Sequence, residues 1–335
     1  MKYTETNFNE KTILITGAAG FIGSNLVFYF QKNYPNANII AFDCFRSGET
    51  FTNGNLKSFG HFKNLLGFEG IVISGDINDK NDLKSLEDNY NFDYIFHQAA
   101  ISDTTVQEQD LMIKTNVNAY ENLLKIAIKH GANMIYASSA ATYGDSNRFE
   151  VGYEQPNNAY GFSKVMMDNI SYKYIKQGVD ISIVGLKYFN VYGPREFFKN
   201  STSSMVVQFG HQILEGKTPK LFEGSDKILR DFIYIEDIIQ ANIKACHPKK
   251  SGVYNVGTGS ARSFEDIVTI LQKELGIDNG KNYIPNPFIG SYQFFTEANI
   301  KTTEENLSYK PRFSLEDGIK DYIFEIKRLF KEELN

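Results

Sequence analysis

Tyr160 and Lys164 are the two side chains of this chain whose types and spacing best suit a proton transfer. Residues four apart on a helix share one face, so the lysine ammonium can lie beside the phenol. A nearby positive charge favours the phenolate, which predicts a Tyr160 pKa lowered from about 10 toward working pH. Ser139 ends an apolar run and offers a hydroxyl to the same substrate oxygen. These three side chains predict a site that removes a proton from a substrate hydroxyl.

A second tyrosine and lysine, Tyr172 and Lys176, have the same spacing, so spacing alone does not choose between the pairs. Position in the chain favours Tyr160. It opens a predicted helix after Pro156-Asn157-Asn158 and follows a strand that ends in serines, whereas Tyr172 lies a few turns along that helix. We therefore expect Tyr172 to pack or to face water.

Three glycines predict where a hydride acceptor binds. Gly17, Gly20 and Gly23 lie between a buried-strand pattern and a helix expected to begin near Ser24. In that order the backbone N–H groups and the positive end of the helix can approach a pyrophosphate. Asp43 follows Gly23 by about 20 residues, the separation at which an acidic side chain reaches an adenosine ribose hydroxyl. The pattern predicts a dinucleotide whose nicotinamide takes hydride from the carbon beside the ionised hydroxyl.

Strand-like and helix-like segments alternate after the glycines, which predicts a parallel sheet covered by helices on both faces. Ligands of such sheets bind at the carboxyl ends of the strands, so the chemistry is expected there. The predicted strands are 71–74, 94–97, 134–137 and 181–188, and the predicted helices are 82–89, 114–130 and 163–174.

The rest of the chain predicts a long loop and a second lobe. We expect residues 45–70 to form a loop with a short helix at 56–66. A strand at 230–235 and a helix at 236–245 are expected to return to the main sheet. Later helices are expected at 263–275 and 315–331. The predicted fold class is α/β: a Rossmann-type, doubly wound parallel sheet with a smaller α/β substrate-binding lobe. The NAD(P)-binding domain takes residues 1–190, with 228–262 returning to it, and the substrate lobe takes 191–227 and 263–335.

Composition narrows the classes of function. The 335 residues are 42% hydrophobic and 22% charged, with a net charge of −5 and no long basic block. Nucleic acid and anionic membranes are therefore not expected partners. No run reaches the roughly 18 apolar residues of a membrane span, and residues 1–10 lack the apolar part of a secretion signal. These observations predict a cytoplasmic protein.

Cysteine and histidine spacing predicts neither a disulfide framework nor a metal site. Cys44 and Cys246 are the two cysteines and are expected to be free thiols. The five histidines are scattered, and no Cys-x-x-Cys or His-Glu-x-x-His motif occurs. We assign no metal.

Five motifs, in order, resemble the extended short-chain dehydrogenase/reductase superfamily, whose members act on nucleotide-activated sugars. The motifs are Gly-Ala-Ala-Gly-Phe-Ile-Gly (17–23), His-Gln-Ala-Ala (97–100), Ser-Ser-Ala-Ala-Thr-Tyr-Gly (138–144), Tyr160-x-x-x-Lys164 and Tyr-Phe-Asn-Val-Tyr-Gly-Pro-Arg (188–195). The resemblance implies a Rossmann-type cofactor domain, a carboxy-terminal sugar-nucleotide lobe, and Ser139, Tyr160 and Lys164 as catalytic residues.

The residues after the catalytic serine separate the reactions of this superfamily. A 4,6-dehydratase usually places Asp-Glu there, because an acid must protonate departing hydroxide and a base must take a carbon-bound proton. This chain has Ala140-Ala141. Two methyl groups cannot do that work, so oxidation and return of hydride at one carbon are favoured over elimination.

The carboxy-terminal motifs resemble the ADP-glyceromanno-heptose 6-epimerase family, isomerases of bacterial lipopolysaccharide precursor synthesis. The matching stretches are 193–196 with Lys199 and Ser201, 219–225, 230–232 and 292–296. The resemblance implies transient oxidation at C6″ of ADP-D-glycero-D-manno-heptose, rotation of the formyl group, and hydride return to its other face, giving the L-glycero epimer. It also implies two bases, Tyr160 and Lys199.

The same resemblance carries over ligand-binding positions residue by residue. The implied cofactor-binding residues are Gly17, Gly20, Phe21, Ile22, Gly23, Asp43, Arg46, Lys80, Gln98, Ala99, Ala100, Ser102, Asn116, Tyr160, Lys164 and Val191. The implied substrate-binding residues are Ser139, Asn190, Lys199, Ser201, Gln208, Phe222, Glu223, Gly224, Ser225, Arg230 and Tyr292. Arg230 also has a physical argument, because a planar fork of donors suits a diphosphate; an ion pair with Asp231 is its alternative.

Three departures from the family pattern affect recognition. Gln208 stands where the family commonly has a substrate-binding histidine, Thr50 replaces a cofactor-contacting lysine, and the 45–70 loop is longer than in enterobacterial members. Asp43 alone favours NAD, because a carboxylate repels a 2′-phosphate, while Arg46 can accommodate that phosphate. The resemblance favours NADP, with NAD as the alternative.

Two other functions stay open from the sequence. One is a 4-epimerase of a UDP-hexose, or another superfamily member acting on a nucleotide sugar, which would not need Lys199. The other is a noncatalytic dinucleotide-binding sensor, which would not need Tyr160. The expected partners are a small-molecule nucleotide sugar and, by the resemblance, further copies of the chain in a homo-oligomer.

Overall fold

A computed structural model of the chain describes residues 2–286 and 294–334. The strands are β1 (Thr12–Thr16), β2 (Asn38–Asp43), β3 (Ile71–Ser74), β4 (Tyr94–His97), β5 (Asn133–Ser139), β6 (Ile183–Tyr188), β7 (Asn190–Tyr192), β8 (Lys220–Phe222), β9 (Leu229–Tyr234), β10 (Gly252–Val256), β11 (Ala261–Ser263), β12 (Asn282–Ile284) and β13 (Phe295–Thr296). The helices are α1 (Phe21–Asn33), α2 (Lys80–Asn89), α3 (Gln109–Met112), α4 (Ala119–His130), α5 (Ala159–Lys176), α6 (Met205–Leu214), α7 (Ile235–Lys244), α8 (Phe264–Leu275), α9 (Lys301–Leu307) and α10 (Leu315–Glu333).

The main sheet has seven strands in the order β10-β6-β5-β4-β1-β2-β3, and every neighbouring pair is parallel. The chain moves from β1 outward to β3 and then returns to the other side of β1 with β4. A crevice therefore opens at the carboxyl ends of β1 and β4, where the strand order reverses. The prediction of a Rossmann-type, doubly wound parallel sheet is confirmed.

Successive side chains of β1 enter different cores, because strand residues alternate between the faces of a sheet. Ile13 and Ile15 belong to a core that includes residues of α1 and α7. Leu14 belongs to a second core, which includes residues of α4 and α5. Both faces of the main sheet are thus covered by helices, and the strand ends are left to form a site.

The strand predicted at 230–235 does not join the main sheet, and that prediction was wrong. β9 pairs with β7, β11 and β13 in a second sheet, and β10 occupies the edge of the main sheet beside β6. The buried Asp231 explains the placement, since its carboxylate accepts hydrogen bonds from the backbone N–H groups of Thr258, Gly259 and Ala298. These bonds attach β9 to the chain that follows β10. The lobe boundaries stay a prediction.

Three further segments differ in detail from the sequence-based expectation. α1 begins at Phe21, three residues before Ser24. The helix predicted at 114–130 is divided into a π-helical turn, Ile113–Asn118, and α4. Within 45–70 the helical structure is one turn, Phe62–Leu65, shorter than the predicted 56–66.

Two smaller observations bear on the exclusions made from composition. Cys44 is an exposed free thiol and Cys246 a buried one. Across the described ranges 2–286 and 294–334, the helices are each too short or too polar to cross a membrane.

Candidate active site

The glycine turn after β1 is packed too closely for side chains. Gly17 has a φ of +68°, and a Cβ on it would lie 2.6 Å from the backbone nitrogen of Ala99. A Cβ on Gly23 would lie 2.1 Å from the carbonyl oxygen of Gly17. The absent side chains let α1 start directly against the strand ends, with its first N–H groups free for a ligand. This is the cradle that a pyrophosphate needs.

Asp43, at the end of β2, fixes the shape of that turn. Its carboxylate is buried and accepts hydrogen bonds from the backbone N–H groups of Ala19, at 2.9 Å, and Phe45, at 2.8 Å. Burial raises the pKa of Asp43, and these two donors oppose the rise. The side chain also borders the cavity described next. Its predicted bond to a ribose hydroxyl stays a prediction.

One cavity of about 810 Å³ extends from the glycine turn to Tyr160 and Lys164. That volume lies in the range of cavities that hold cofactors and small ligands. The predicted site residues that border it are Gly17, Gly20, Phe21, Ile22, Gly23, Asp43, Gln98, Ala99, Ala100, Ser102, Ser139, Tyr160, Lys164, Asn190, Val191 and Lys199. Residues far apart in the sequence are thus brought to one space. A dinucleotide fits the glycine cradle and the size of this cavity.

Helix α5 presents Tyr160 and Lys164 to the end of β5. Asn158 caps the helix by accepting a hydrogen bond from Gly161 N–H at 2.8 Å. Lys164 is buried and donates from Nζ to the carbonyl oxygen of Ala137 at 2.7 Å, with Nζ 5.8 Å from the centre of the Tyr160 ring. The Ser139 hydroxyl lies close enough to Tyr160 to act on its pKa. The serine, tyrosine and lysine side chains all border the cavity, and their catalytic roles stay a prediction.

The pKa of Tyr160 moves in the direction opposite to the prediction. Burial raises it above its ordinary value, and the Ser139 hydrogen bond opposes the rise. Burial also lowers the pKa of Lys164 to about 8, against the effect of the Asp168 carboxylate. Desolvation outweighs the expected influence of the ammonium on the phenol, because Lys164 directs its proton to a backbone carbonyl. The expectation of a lowered Tyr160 pKa was wrong for the protein without ligand.

Tyr172, the alternative tyrosine, is 41% exposed and does not border the cavity. It follows Tyr160 by more than three turns of the same helix and lies beside Val253 of β10. The tertiary structure therefore favours Tyr160 in the way that position in the chain had indicated.

Lys199 reaches the same cavity from a loop after β7. The loop contains a 3₁₀ segment, Phe197–Thr202, and Lys199 Nζ lies 5.8 Å from the centre of the Phe21 ring. Burial lowers the pKa of Lys199, and the negative charge of Glu196 opposes this. Two groups able to exchange protons, Tyr160 and Lys199, thus border one space.

The sequence matches the profile of the NAD dependent epimerase/dehydratase family over residues 13–257. The matched residues include the glycine turn, Tyr160, Lys164 and Lys199. The chain belongs to this family. The resemblance seen in the sequence motifs is confirmed.

Relatives in this family are similar over nearly the whole chain. The ADP-L-glycero-D-manno-heptose-6-epimerase of Brachyspira hyodysenteriae (strain ATCC 49526 / WA1) is 37% identical over 319 residues, 92% of this chain and 96% of the relative. The crystal structure of the Helicobacter pylori enzyme of that name has a TM-score of 0.89 and 50% identity, covering 98% of this chain and 99% of the other. The Thermotoga maritima UDP-glucose 4-epimerase, solved with UDP-glucose, has a TM-score of 0.83 and 27% identity over 96% and 100%.

Three residues predicted to hold the cofactor lie outside the cavity of this epimerase/dehydratase family member. The Arg46 guanidinium donates to the carbonyl oxygen of Phe198. Lys80 is exposed at the start of α2. Asn116 is fully buried in the π-helical turn, where its amide bonds both backbone groups of Ile101. Their contact with a cofactor stays a prediction, and none of the three borders this cavity.

Some of the predicted substrate residues border one of two cavities, and the others border neither. Phe222 and Ser225 border a second cavity of about 160 Å³ that shares Met205 and Phe264 with the first. Other predicted positions, all outside both cavities, are Ser201, Gln208, Glu223, Gly224 and Arg230. Tyr292 lies outside the described residues.

Contacts of these outlying residues show what they do in the protein without ligand. Gln208 donates to the carbonyl oxygen of Ser203 at 2.7 Å, and Ser201 donates to Asn55 at 3.2 Å. Arg230 donates from Nη1 to the carbonyl oxygen of Leu229 at 2.9 Å. Ser201 and Gln208 thereby help to fix the loop that carries Lys199.

A buried charged network beside Ser139 and Lys164 was missed in the sequence. Asp168 accepts hydrogen bonds from Tyr136 at 2.9 Å, Ser138 at 3.0 Å and Lys187 at 2.7 Å. Lys187 also donates to Thr142 at 2.9 Å. A signal was available, since Asp168 follows Lys164 by four residues on one helix face. Its partner on a distant strand left no such signal.

Proposed function

We propose that this chain interconverts ADP-D-glycero-D-manno-heptose and ADP-L-glycero-D-manno-heptose by inverting C6″. The observation that carries the proposal is that Tyr160, Lys199 and the glycine turn all border one cavity. The similarity to the Helicobacter pylori enzyme, at 50% identity over almost the full length, supports the same substrate. The Ala140-Ala141 pair supports epimerisation over dehydration, since neither methyl group can act as acid or base.

A nicotinamide dinucleotide is the cofactor that the family and the cavity support. Gly17, Gly20 and Gly23 would hold its pyrophosphate, and Asp43 would meet the adenosine ribose. When bound, the cofactor would accept a hydride from C6″ and later return it to the same carbon. The remaining chemistry, the movement of a proton to and from O6″, belongs to this chain.

Tyr160, Ser139, Lys164 and Lys199 divide that proton transfer. Tyr160 removes the hydroxyl proton of one epimer, Ser139 hydrogen-bonds the same oxygen, and Lys164 orients the site. Lys199 donates a proton of its own to O6″ after the formyl group has turned, and accepts one when the other epimer reacts; proton exchange with water then restores both side chains. Two groups are needed because rotation moves the oxygen away from the group that first took its proton. The raised pKa of Tyr160 means that the phenol needs a positive charge nearby in the loaded enzyme.

For the phosphate preference we propose NADP, with NAD as the alternative. Arg46 is engaged by Phe198, so it is not the proposed phosphate ligand. Lys57 and Ser58 lie in the segment after Asp43 and border the cavity, and they offer a cation and a hydroxyl. Titrating the dinucleotide-free protein with each cofactor tests this: Lys57→Met should weaken NADP binding more than NAD binding. Equal weakening would remove Lys57 from the proposal.

The function is tested by incubating the purified protein with ADP-D-glycero-D-manno-heptose and following the C6″ configuration by NMR. Tyr160→Phe and Lys199→Met should each lower turnover by about 10²- to 10⁴-fold, the usual contribution of a general acid or base. Lys217→Met, at an exposed lysine, is the matched control. An unchanged substrate spectrum with dinucleotide bound would refute the assignment. Turnover of UDP-glucose that survives Lys199→Met would instead support a UDP-hexose 4-epimerase.

Assembly and cell compartment are proposed on the resemblance alone. We propose a homo-oligomer in the cytoplasm, which light scattering of the purified protein and cell fractionation would measure. A monomer at working concentration would refute the first part.

A further inference from the structure

Glu196 is a fully buried carboxylate in the loop that carries Lys199, and the proposed reaction gives it no role. Its Oε1 accepts hydrogen bonds from the backbone N–H of Gly193 at 3.0 Å and from the Ser204 hydroxyl at 2.7 Å. Its Oε2 accepts one from the Ser204 backbone N–H at 2.6 Å. One side chain therefore joins the two ends of the segment between Gly193 and Ser204, and Lys199 lies between them.

The backbone of this segment needs such a clamp. Arg195 and Asn200 both have positive φ, +75° and +53°, although neither is glycine. Such a backbone conformation is strained for a residue with a side chain, and it persists only where surrounding contacts enforce it. Glu196 also accepts a hydrogen bond from Lys199 N–H at its own carbonyl oxygen, at 2.9 Å. The path of the chain on both sides of Lys199 is thus set by Glu196.

The charges around Glu196 are few in the described structure. Burial raises the pKa of Glu196, and the hydrogen bonds from Gly193 and Ser204 and the charge of Lys199 oppose that rise. The charge of Glu196 in turn opposes the lowering of the Lys199 pKa by burial. From neighbouring elements, Tyr322 of α10 and Tyr192 of β7 face the carboxylate, and its charge contributes to their raised pKa values. Phenols on those elements stay neutral at working pH, so they do not replace Lys199 as the partner of the charge.

We infer that Glu196 is the positioning residue for Lys199: its hydrogen bonds to Gly193 and Ser204 hold the loop so that the lysine borders the cavity, and its negative charge acts on the lysine ammonium. The inference rests on the proposed function, in which Lys199 exchanges a proton with O6″. A carboxylate that only stabilised the loop would leave the titration of Lys199 unchanged.

The test measures Lys199 directly in the cofactor-loaded protein. Lysines labelled with ¹³C at Cε are titrated by NMR, and the Lys199 signal is assigned by its loss in Lys199→Met. Glu196→Gln keeps the size of the side chain and removes its charge. Ser204→Ala is the matched control, because it removes one hydrogen bond to Glu196 and leaves the charge. Turnover of both ADP-heptose epimers is measured for each variant.

Glu196→Gln should shift the titration of Lys199 to lower pH and reduce kcat by up to about 100-fold, the effect of a small misplacement of a catalytic group, with little change in KM. Ser204→Ala should leave the titration in place. Either a wild-type titration of Lys199 or a wild-type kcat in Glu196→Gln would overturn the inference while the proposed function stands. Full activity of Lys199→Met would instead overturn the role of Lys199 itself.

Glu196→Asp covers the case in which Glu196→Gln does not fold. Aspartate keeps the charge but is one methylene shorter, so it cannot reach Gly193 and Ser204 together. A reduced kcat with a retained Lys199 titration is expected, and a kcat equal to that of the wild type would overturn the inference.

Discussion

Replacing Lys187 with methionine removes the cation from the buried network beneath the catalytic serine. Lys187 has no exposed surface and donates to Asp168 at 2.7 Å and Thr142 at 2.9 Å, with Glu154 at 3.2 Å. Thr142 in turn donates to the carbonyl oxygen of Ser139 at 2.8 Å. The substitution therefore leaves the buried Asp168 carboxylate without its hydrogen-bonded cation, and Lys164, one helical turn away, is a positive neighbour that remains.

The expected loss of stability follows from what remains around Asp168. Removing one partner of a buried ion pair costs about 3–5 kcal/mol, because the other charge stays desolvated. Asp168 keeps its hydrogen bonds from Tyr136 and Ser138, and Glu154 is 18% exposed and can turn to water. We therefore expect Lys187→Met to lower the free energy of unfolding by about 3 kcal/mol, the lower end of that range. Adding Asp168→Asn to Lys187→Met should recover more than about 1 kcal/mol, since it removes the unpaired charge.

Urea denaturation at a fixed excess of dinucleotide measures these differences. Cofactor binding then adds the same amount to the free energy of unfolding of each variant that binds it equally well. Lys217→Met is the control; its lysine side chain is 69% exposed, and the change should cost less than about 1 kcal/mol. Two results would refute the reasoning: a Lys187→Met midpoint equal to that of the control, or a double variant no more stable than Lys187→Met alone.

Three further variants test other parts of the site. Gly23→Ala places a methyl group 2.1 Å from the backbone oxygen of Gly17 and should abolish dinucleotide binding in a calorimetric titration; retained affinity would contradict the close packing of the turn. For Lys164→Met, the quantity to measure is the free energy of unfolding of the wild type minus that of the variant. This difference should rise between pH 8 and 10.5, because Lys164 then holds a proton in the unfolded state that it lacks in the folded state. A difference that stays constant with pH would contradict the lowered Lys164 pKa of about 8. Asn64 donates to Ala19 O at 3.0 Å and to the loop carrying the proposed second base; Asn64→Ala should lower kcat more than it weakens cofactor binding, as single-turnover kinetics would show.

The sequence predicted the groups that are encoded locally. The glycine turn depends on a strand, three glycines and a helix within about twenty residues, and Tyr160 with Lys164 depends on one turn of α5. Such patterns can be interpreted without knowing how the chain returns, because neighbours along the chain are also neighbours in space. The segment at 230–235 was correctly predicted to be a strand, but the sheet it joins was predicted wrongly. The pairing of a strand depends on segments that are distant in the sequence.

The roles of charged residues were the hardest to predict. Arg46 suited a cofactor phosphate by its type, yet its guanidinium reaches Phe198, 152 residues away. The pKa of Tyr160 was predicted from the charge of Lys164, and burial reversed its direction. Both outcomes depend on how much water the folded chain excludes, and spacing does not contain that information.

What the amino-acid sequence determined by itself is the fold class, because short-range periodicity and backbone freedom specify it. The dinucleotide turn and the proton-transfer pair are predictions made from the same local patterns. Only the tertiary structure decided which side chains share the cavity, that Lys187 pairs with Asp168 and that Glu196 closes the loop around Lys199. Electrostatic pairing and desolvation are properties of the packed chain, because a charge acquires its partner only when distant segments have excluded the water between them.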